Sequence, residues 1–291
     1  MADSLNVNFP DSLLDVVPAI DTGYRGFESE DTVETFSATG FVDFPDKYWI
    51  EPKDWEEKAR ENDKYKTWAE DYSNRFTNQA PTHECTSHCL IQCAEIVWNK
   101  QRGSNDDAVW YSPLGTYEEA NPRIRGGASV RGVLKLAMAR GLVPEHDGPT
   151  GRGTQAAKFK FTRCGTMGKG NATQSRGEWL AYKNYPAGHQ DTSKHFRPLE
   201  IINVASWEQH FCLLLHGLPV GNGRSGHSIP HVRAVKRDGK WFSKYKDSYD
   251  LFRFDSISMV RSGVGAAYAI ASMTRPDDWK NPAGADQLLT L

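Results

Sequence analysis

Residues 77–93 read TNQAPTHECTSHCLIQC, where His83, Cys85, His88, Cys89 and Cys93 place sulfur and imidazole side chains within a short span. These are zinc-ligand types, but a structural zinc site usually draws its ligand pairs from two different elements, and the chain has no CxxC pair to supply one. On a helix, Cys85, Cys89 and Cys93 share one face. Cys89 and Cys93 then read as small core-packing residues. Cys85 differs because it stands in the first turn, where unpaired N–H groups and the positive end of the helix dipole stabilise a thiolate. Thiolate acyl transfer also needs an imidazole base, a group that orients it and a donor for the oxyanion, and it requires no metal or organic cofactor. The downstream half offers candidates. His227 or His231 opens a strand, and Asp247 ends the strand paired with it. Gln79, six residues before Cys85, could return to the nucleophile as an amide donor.

Elements of predictable kind carry these residues. Pro81 and Thr82 open a helix that runs through Trp98 and stops at Gly103, with Lys100 and Arg102 in the last turn as the dipole favours. Ser129 caps a second helix, in which Val130, Val133, Leu134, Ala137 and Met138 keep an amphipathic rhythm until Gly141. Ser206 and Gln209 form a capping box before WEQHFCLLLH, which Gly217 closes. Strands at 227–235 and 241–245 flank KRDGK, whose Asp238-Gly239 is a hairpin signal, and GVGAAYAIASM (263–273) reads as a further small-residue strand. The hairpin brings one of the two histidines beside Asp247. His227 and His231 both point to one face, so strand phase cannot choose between them. Gln79 could instead cap the helix entry, and Asp247 could be a turn acid.

The bulk numbers frame these motifs. The chain has 291 residues, 38% hydrophobic and 25% charged, a globular composition with an expected α+β layout of helices first and antiparallel strands later. Five cysteines form an odd set, which suits a reducing compartment; with no apolar run long enough for a membrane span and no signal-peptide pattern at the start, a cytoplasmic protein is expected. Residues 1–75 carry 18 acids against 8 bases, and the remainder 19 against 27. This acidic N-terminal arm is expected to wrap, with PKDWEEKARENDKYKTWAEDY (52–72) as a charged, exposed helix. The arm could be a pro-segment or an assembly contact. No run of five or more basic residues marks the body as a nucleic-acid binder.

Four segments in order resemble the papain-like cysteine peptidases. Asn78-Gln79 ahead of Cys85 is similar to the family's Asn-Gln-Gly segment, RGGASVRGVLKLAMARGLVPE to its Gly-Gly segment and following helix, GHSI to its Gly-His-Ala-Val strand, and KDSYD to its Lys-Asn-Ser-Trp-Gly. The resemblance implies a two-lobe fold, with a helical lobe (76–200) carrying the nucleophile, a β-rich lobe (201–275) carrying the base, the cleft between them, and a tail at 276–291. It implies Cys85 as nucleophile, His227 as base, Asp247 in place of the orienting Asn, and Gln79 as oxyanion donor. Gly126 and Gly127 would offer bare backbone to an extended polypeptide substrate. Gly226 and Ser228 favour His227 by resemblance, whereas His231 keeps the tighter count to Asp247. Departures at His83, Glu84, Thr86, Tyr249 and Asp250 leave a second reading, a catalytically retired fold used as a structural or interaction protein, for instance in a virus particle.

Overall fold

The computed structural model describes residues 41–73, 77, 85–103, 111, 113, 128–142, 193, 196–224, 226–248 and 251–274. Its helices include α1 (Trp55–Tyr65), α2 (Cys85–Arg102), α3 (Val130–Arg140), α4 (Trp207–Leu215) and α5 (Ile257–Gly263). Its strands include β1 (Phe41–Val42), β2 (Pro198–Val204), β3 (Val220–Arg224), β4 (His227–Arg237), β5 (Lys240–Asp247), β6 (Leu251–Ser256) and β7 (Ala267–Met273). The strands form one sheet in the order β1-β2-β7-β3-β4-β5-β6, antiparallel except for the β1–β2 pair.

Local chemistry sets the ends of these elements. Ser129 Oγ accepts from Gly132 N at 2.9 Å to open α3, and Gly141, at φ +86°, closes it. Ser206 Oγ accepts from Gln209 N at 3.2 Å before α4, while the Gln209 amide oxygen reaches back to Ala205 N at 2.8 Å. Asp238 and Gly239 both have positive φ, +48° and +75°, which matches the right-handed twist of β4 and β5 and fixes their register.

Each face of the sheet is covered, so the sheet divides two cores. Cys89, Cys93 and Val97 of α2 and Val133, Leu134 and Ala137 of α3 pack with Ile201, Tyr268 and Ile270. On the other side, Phe211, Leu213 and Leu215 of α4 pack with Ile202, Val204, Ala267, Ala269 and Ala271. Strand β7 therefore alternates Ala toward α4 with Tyr and Ile toward α2. It begins later than the sequence suggests. Gly263 ends α5 and Val264–Ala266 form a 3₁₀ turn, so the first four residues of GVGAAYAIASM are not strand. A Cβ on Gly263 would collide with the Asn222 amide, so this crossing needs the small residue.

The acidic segment is the expected charged, largely exposed helix over only part of its length. Within 52–72, α1 stops at Tyr65 because Lys66 adopts a left-handed conformation, and a 3₁₀ turn follows at Ala69–Tyr72. Trp55 and Trp68 are only 1% exposed. Trp55 stacks on Phe211 at 5.4 Å between centroids, edge-on to Trp207 and Trp241. Asn62 Nδ2 donates to Leu215 O at 2.7 Å, and the acids meet bases on β4 and β5: Asp63 with Arg233 at 2.6 Å, Glu56 with Lys236, Glu70 with Lys244. The charged pattern belongs to a helix that pairs outward and buries Trp55, with Trp68 buried just beyond its end.

Candidate active site

Three elements carry the candidate residues. Cys85 is the first described residue of α2, His227 begins β4 directly after the turn at Gly226 (φ +80°), and Asp247 ends β5. His227 Nε2 lies 3.2 Å from Asp247 Oδ1, the His side chain 19% exposed and the Asp side chain 8%. Burial alone would push the imidazole's pKa down. The hydrogen bond to Asp247, the interaction with the Cys85 thiol and the negative charge of both partners outweigh it, raising the pKa to about 9.

His231 has a different environment. It is fully buried, its Nδ1 at 2.9 Å from His210 Nε2 and 2.8 Å from Ser243 Oγ, its Nε2 3.2 Å from Asp255 Oδ2. Arg224 Nη1 donates to both Asp255 oxygens at 2.8 and 2.9 Å, Arg224 Nη2 donates to Tyr245 Oη at 3.1 Å, and the Tyr245 ring stacks on His231. Burial lowers the pKa of His231 despite Asp255, and that of His210 well below the ordinary imidazole value. The tighter count from His231 to Asp247 is not used, because Asp255 on β6 is the carboxylate His231 meets.

Cys89, Cys93, Cys212 and the lysine of α2 serve packing. Cys89 and Cys93 are fully buried beside Tyr268, whose Oη lies 3.6 Å from Cys89 Sγ, and burial raises the Cys93 thiol well above its ordinary pKa. Cys212 is likewise raised by burial, next to Ile50. Cys85, Cys89, Cys93 and Cys212 are all free thiols. Lys100 Nζ reaches across to the carbonyls of His216 and Gly217 at the end of α4, and burial lowers its pKa to about 8. Its position in the last turn of α2 gave no sign of that cross-lobe contact. Gln79, Gly126, Gly127, His83 and Cys164 lie outside the described residues. Among the described residues no group of three His, Cys, Asp or Glu side chains could hold a metal ion, and no helix is long and apolar enough to cross a membrane.

Arg253, which the sequence pattern did not single out, completes the surroundings of Asp247. Its Nε lies 3.4 Å from Asp247 Oδ2. The signal was available only through strand register: Asp247 pairs with Leu251 and Tyr245 with Arg253, which makes Asp247 and Arg253 diagonal neighbours.

By sequence, the chain matches no family model and no curated protein. By structure, it superposes on proCathepsin B from Trypanosoma congolense with a TM-score of 0.51 at 9% identity, over 83% of this chain and 85% of that one. It also superposes on a clostridial cysteine protease after propeptide cleavage, with a TM-score of 0.50 at 13% identity, covering 71% of this chain and 56% of the other. The chain has the papain-like fold. In that papain-like architecture α2 and α3 form the helical side and the seven strands the sheet side, with Cys85 contributed by the first and His227 and Asp247 by the second.

Proposed function

We propose that this chain is a papain-like cysteine peptidase that hydrolyses peptide or isopeptide bonds through a Cys85 thioester acyl-enzyme. The observation that carries the reading is the partly exposed His227 imidazole, placed 3.2 Å from Asp247 and raised to a pKa of about 9 by Asp247 and Cys85. The solved structures with the same fold include a cathepsin B precursor and a cysteine protease, which favours a polypeptide substrate over other acyl groups.

The steps balance with these residues alone. The Cys85 proton passes to His227, the thiolate attacks the carbonyl carbon, and the carbonyl oxygen becomes an oxyanion, for which the Gln79 amide would be the side-chain donor. Collapse expels the amine, which takes the proton from His227 and leaves a thioester. His227 then removes a proton from water, whose attack releases the acid and the free thiol. Asp247 keeps the imidazole in the tautomer and orientation these transfers require. Gly126 and Gly127 would supply backbone hydrogen bonds to the extended substrate.

The test is chemical labelling of the native full-length protein with a peptidyl electrophile, and with a small alkylating agent at pH 6–7. Cys85 should be modified well ahead of Cys89, Cys93, Cys164 and Cys212, and His227→Ala should abolish that advantage. Equal labelling of all five cysteines, or none at Cys85, would remove the nucleophile and leave the fold as a binding module.

A further inference from the structure

We propose that Arg253 is a positioning residue of this site: its guanidinium holds Oδ2 of Asp247 so that Oδ1 stays turned toward Nε2 of His227. The inference rests on the reading of Cys85, His227 and Asp247 given above. A carboxylate's terminal torsion is soft and nearly two-fold, so one hydrogen bond to an imidazole does not fix its plane. Asp247 is almost out of solvent, 8% exposed at its side chain, so water is poorly placed to occupy the second oxygen. Arg253 stands there, its buried Nε 3.4 Å from Oδ2 in an ion pair rather than a hydrogen bond, while its side chain as a whole is 38% exposed.

The neighbouring charges leave this role to Arg253. Facing His227 and Asp247 are Cys85 from α2, Arg224 from β3 as the cross-strand partner of His227, Tyr245 from β5 and Arg253 from β6. Arg224 is engaged by both oxygens of Asp255 and by Tyr245. Among the described residues Arg253 is thus the guanidinium that meets Asp247, and β6 delivers both devices: Asp255 for the buried network and Arg253 for the site. An amide at position 247 would need no such counter-charge, whereas a carboxylate beside an imidazole gains from one.

The experiment compares Arg253→Gln and Arg253→Lys in the full-length protein, alone and combined with Asp247→Asn. Two readouts are taken: the rate of Cys85 alkylation by iodoacetamide at pH 6.5, and the downfield proton resonance of His227 Nε2–H. Arg253→Gln should slow alkylation by about tenfold, mid-range for a coupled pair, and erase the resonance, while Arg253→Lys retains most of both. In the Asp247→Asn background, Arg253→Gln should change the rate less than about twofold, because the ion pair is already gone. An unchanged rate and resonance in Arg253→Gln, or the same tenfold loss in the Asp247→Asn background, overturns the positioning role. Should Arg253→Gln fail to fold, Arg253→Met, which keeps the apolar stem without the charge, carries the same comparison with and without Asp247→Asn. A His227→Ala protein that still alkylates Cys85 at the wild-type rate would instead sink the underlying site, a result separate from any of these.

Discussion

His227 and His231 sit four residues apart on one strand face, and each meets a carboxylate from the neighbouring hairpin, yet only one touches solvent. The pairing of His231 with Asp255, Arg224, Ser243 and His210 is a closed buried network, in which removal of one member leaves the others desolvated and unmatched. His231→Ala should therefore destabilise the protein by about 3–5 kcal/mol, read as a large fall in the melting temperature, whereas His227→Ala should cost less, and its cost should fade as pH rises through about 9. Comparable losses from both variants would mean that the two imidazoles share one structural role. Gln79 is predicted to matter only during turnover: Gln79→Ala should lower kcat by about 10²-fold with KM little changed, and an unaltered kcat would make it a structural residue. At this scale the sequence showed the types and the spacing of Cys85, His227 and Asp247. It could not show that His231 finds Asp255, because that pairing depends on the register of β6, and DSYDLFRFD carries three acids, at 247, 250 and 255, with nothing local to distinguish them.

Elements whose ends are set by local chemistry were the legible ones. Helix α3 lies where Ser129, its apolar spacing and Gly141 put it, and the β4–β5 hairpin turns at Asp238-Gly239 as those two residues require. Ser129→Ala should lower stability by about 1 kcal/mol through the lost cap, with the same fold by circular dichroism; no loss would show that packing alone holds the α3 entry. Elements fixed by tertiary contact were not legible. Helix α2 is buried on all sides except at Lys100 and Arg102, so its polar Gln92, Glu95 and Asn99 look like a solvent face in sequence and are interior in the fold. Helix α1 shows the opposite case, since its Asp63 and Glu56 reach bases 170 and 180 residues away. At β7, where Gly221 of β3 passes the Tyr268 ring, a Cβ would run into that ring, a constraint no neighbouring residue reveals.

At the scale of the whole molecule, titration sets a stability window. Burial and the charges of Lys58 and Lys100 push His216 down to about 4, so the folded state prefers its neutral form; that contribution is complete above about 6.5 and is lost as pH falls toward 4. His227 runs the other way. Raised to about 9, it stabilises fully below about 6.5 and loses that contribution as pH rises through 9. Denaturant unfolding across this range should show greatest stability near neutral pH, and a flat profile from 4 to 9 would refute the assignment. The buried Trp55 and Trp68 make residues 41–73 part of the second core, so deleting residues 1–72 should unfold the protein; a truncated chain with an unchanged melting temperature would show that α4 and the sheet close without them. The same arrangement has a consequence for synthesis. Glu56 and Lys236 are 180 residues apart, and at roughly 5–20 residues per second the ribosome takes about ten to forty seconds to deliver the second after the first. Through that interval the nascent chain carries two tryptophans whose shelter has not been made, so this half of the molecule closes only after β4 and β5 have been synthesised.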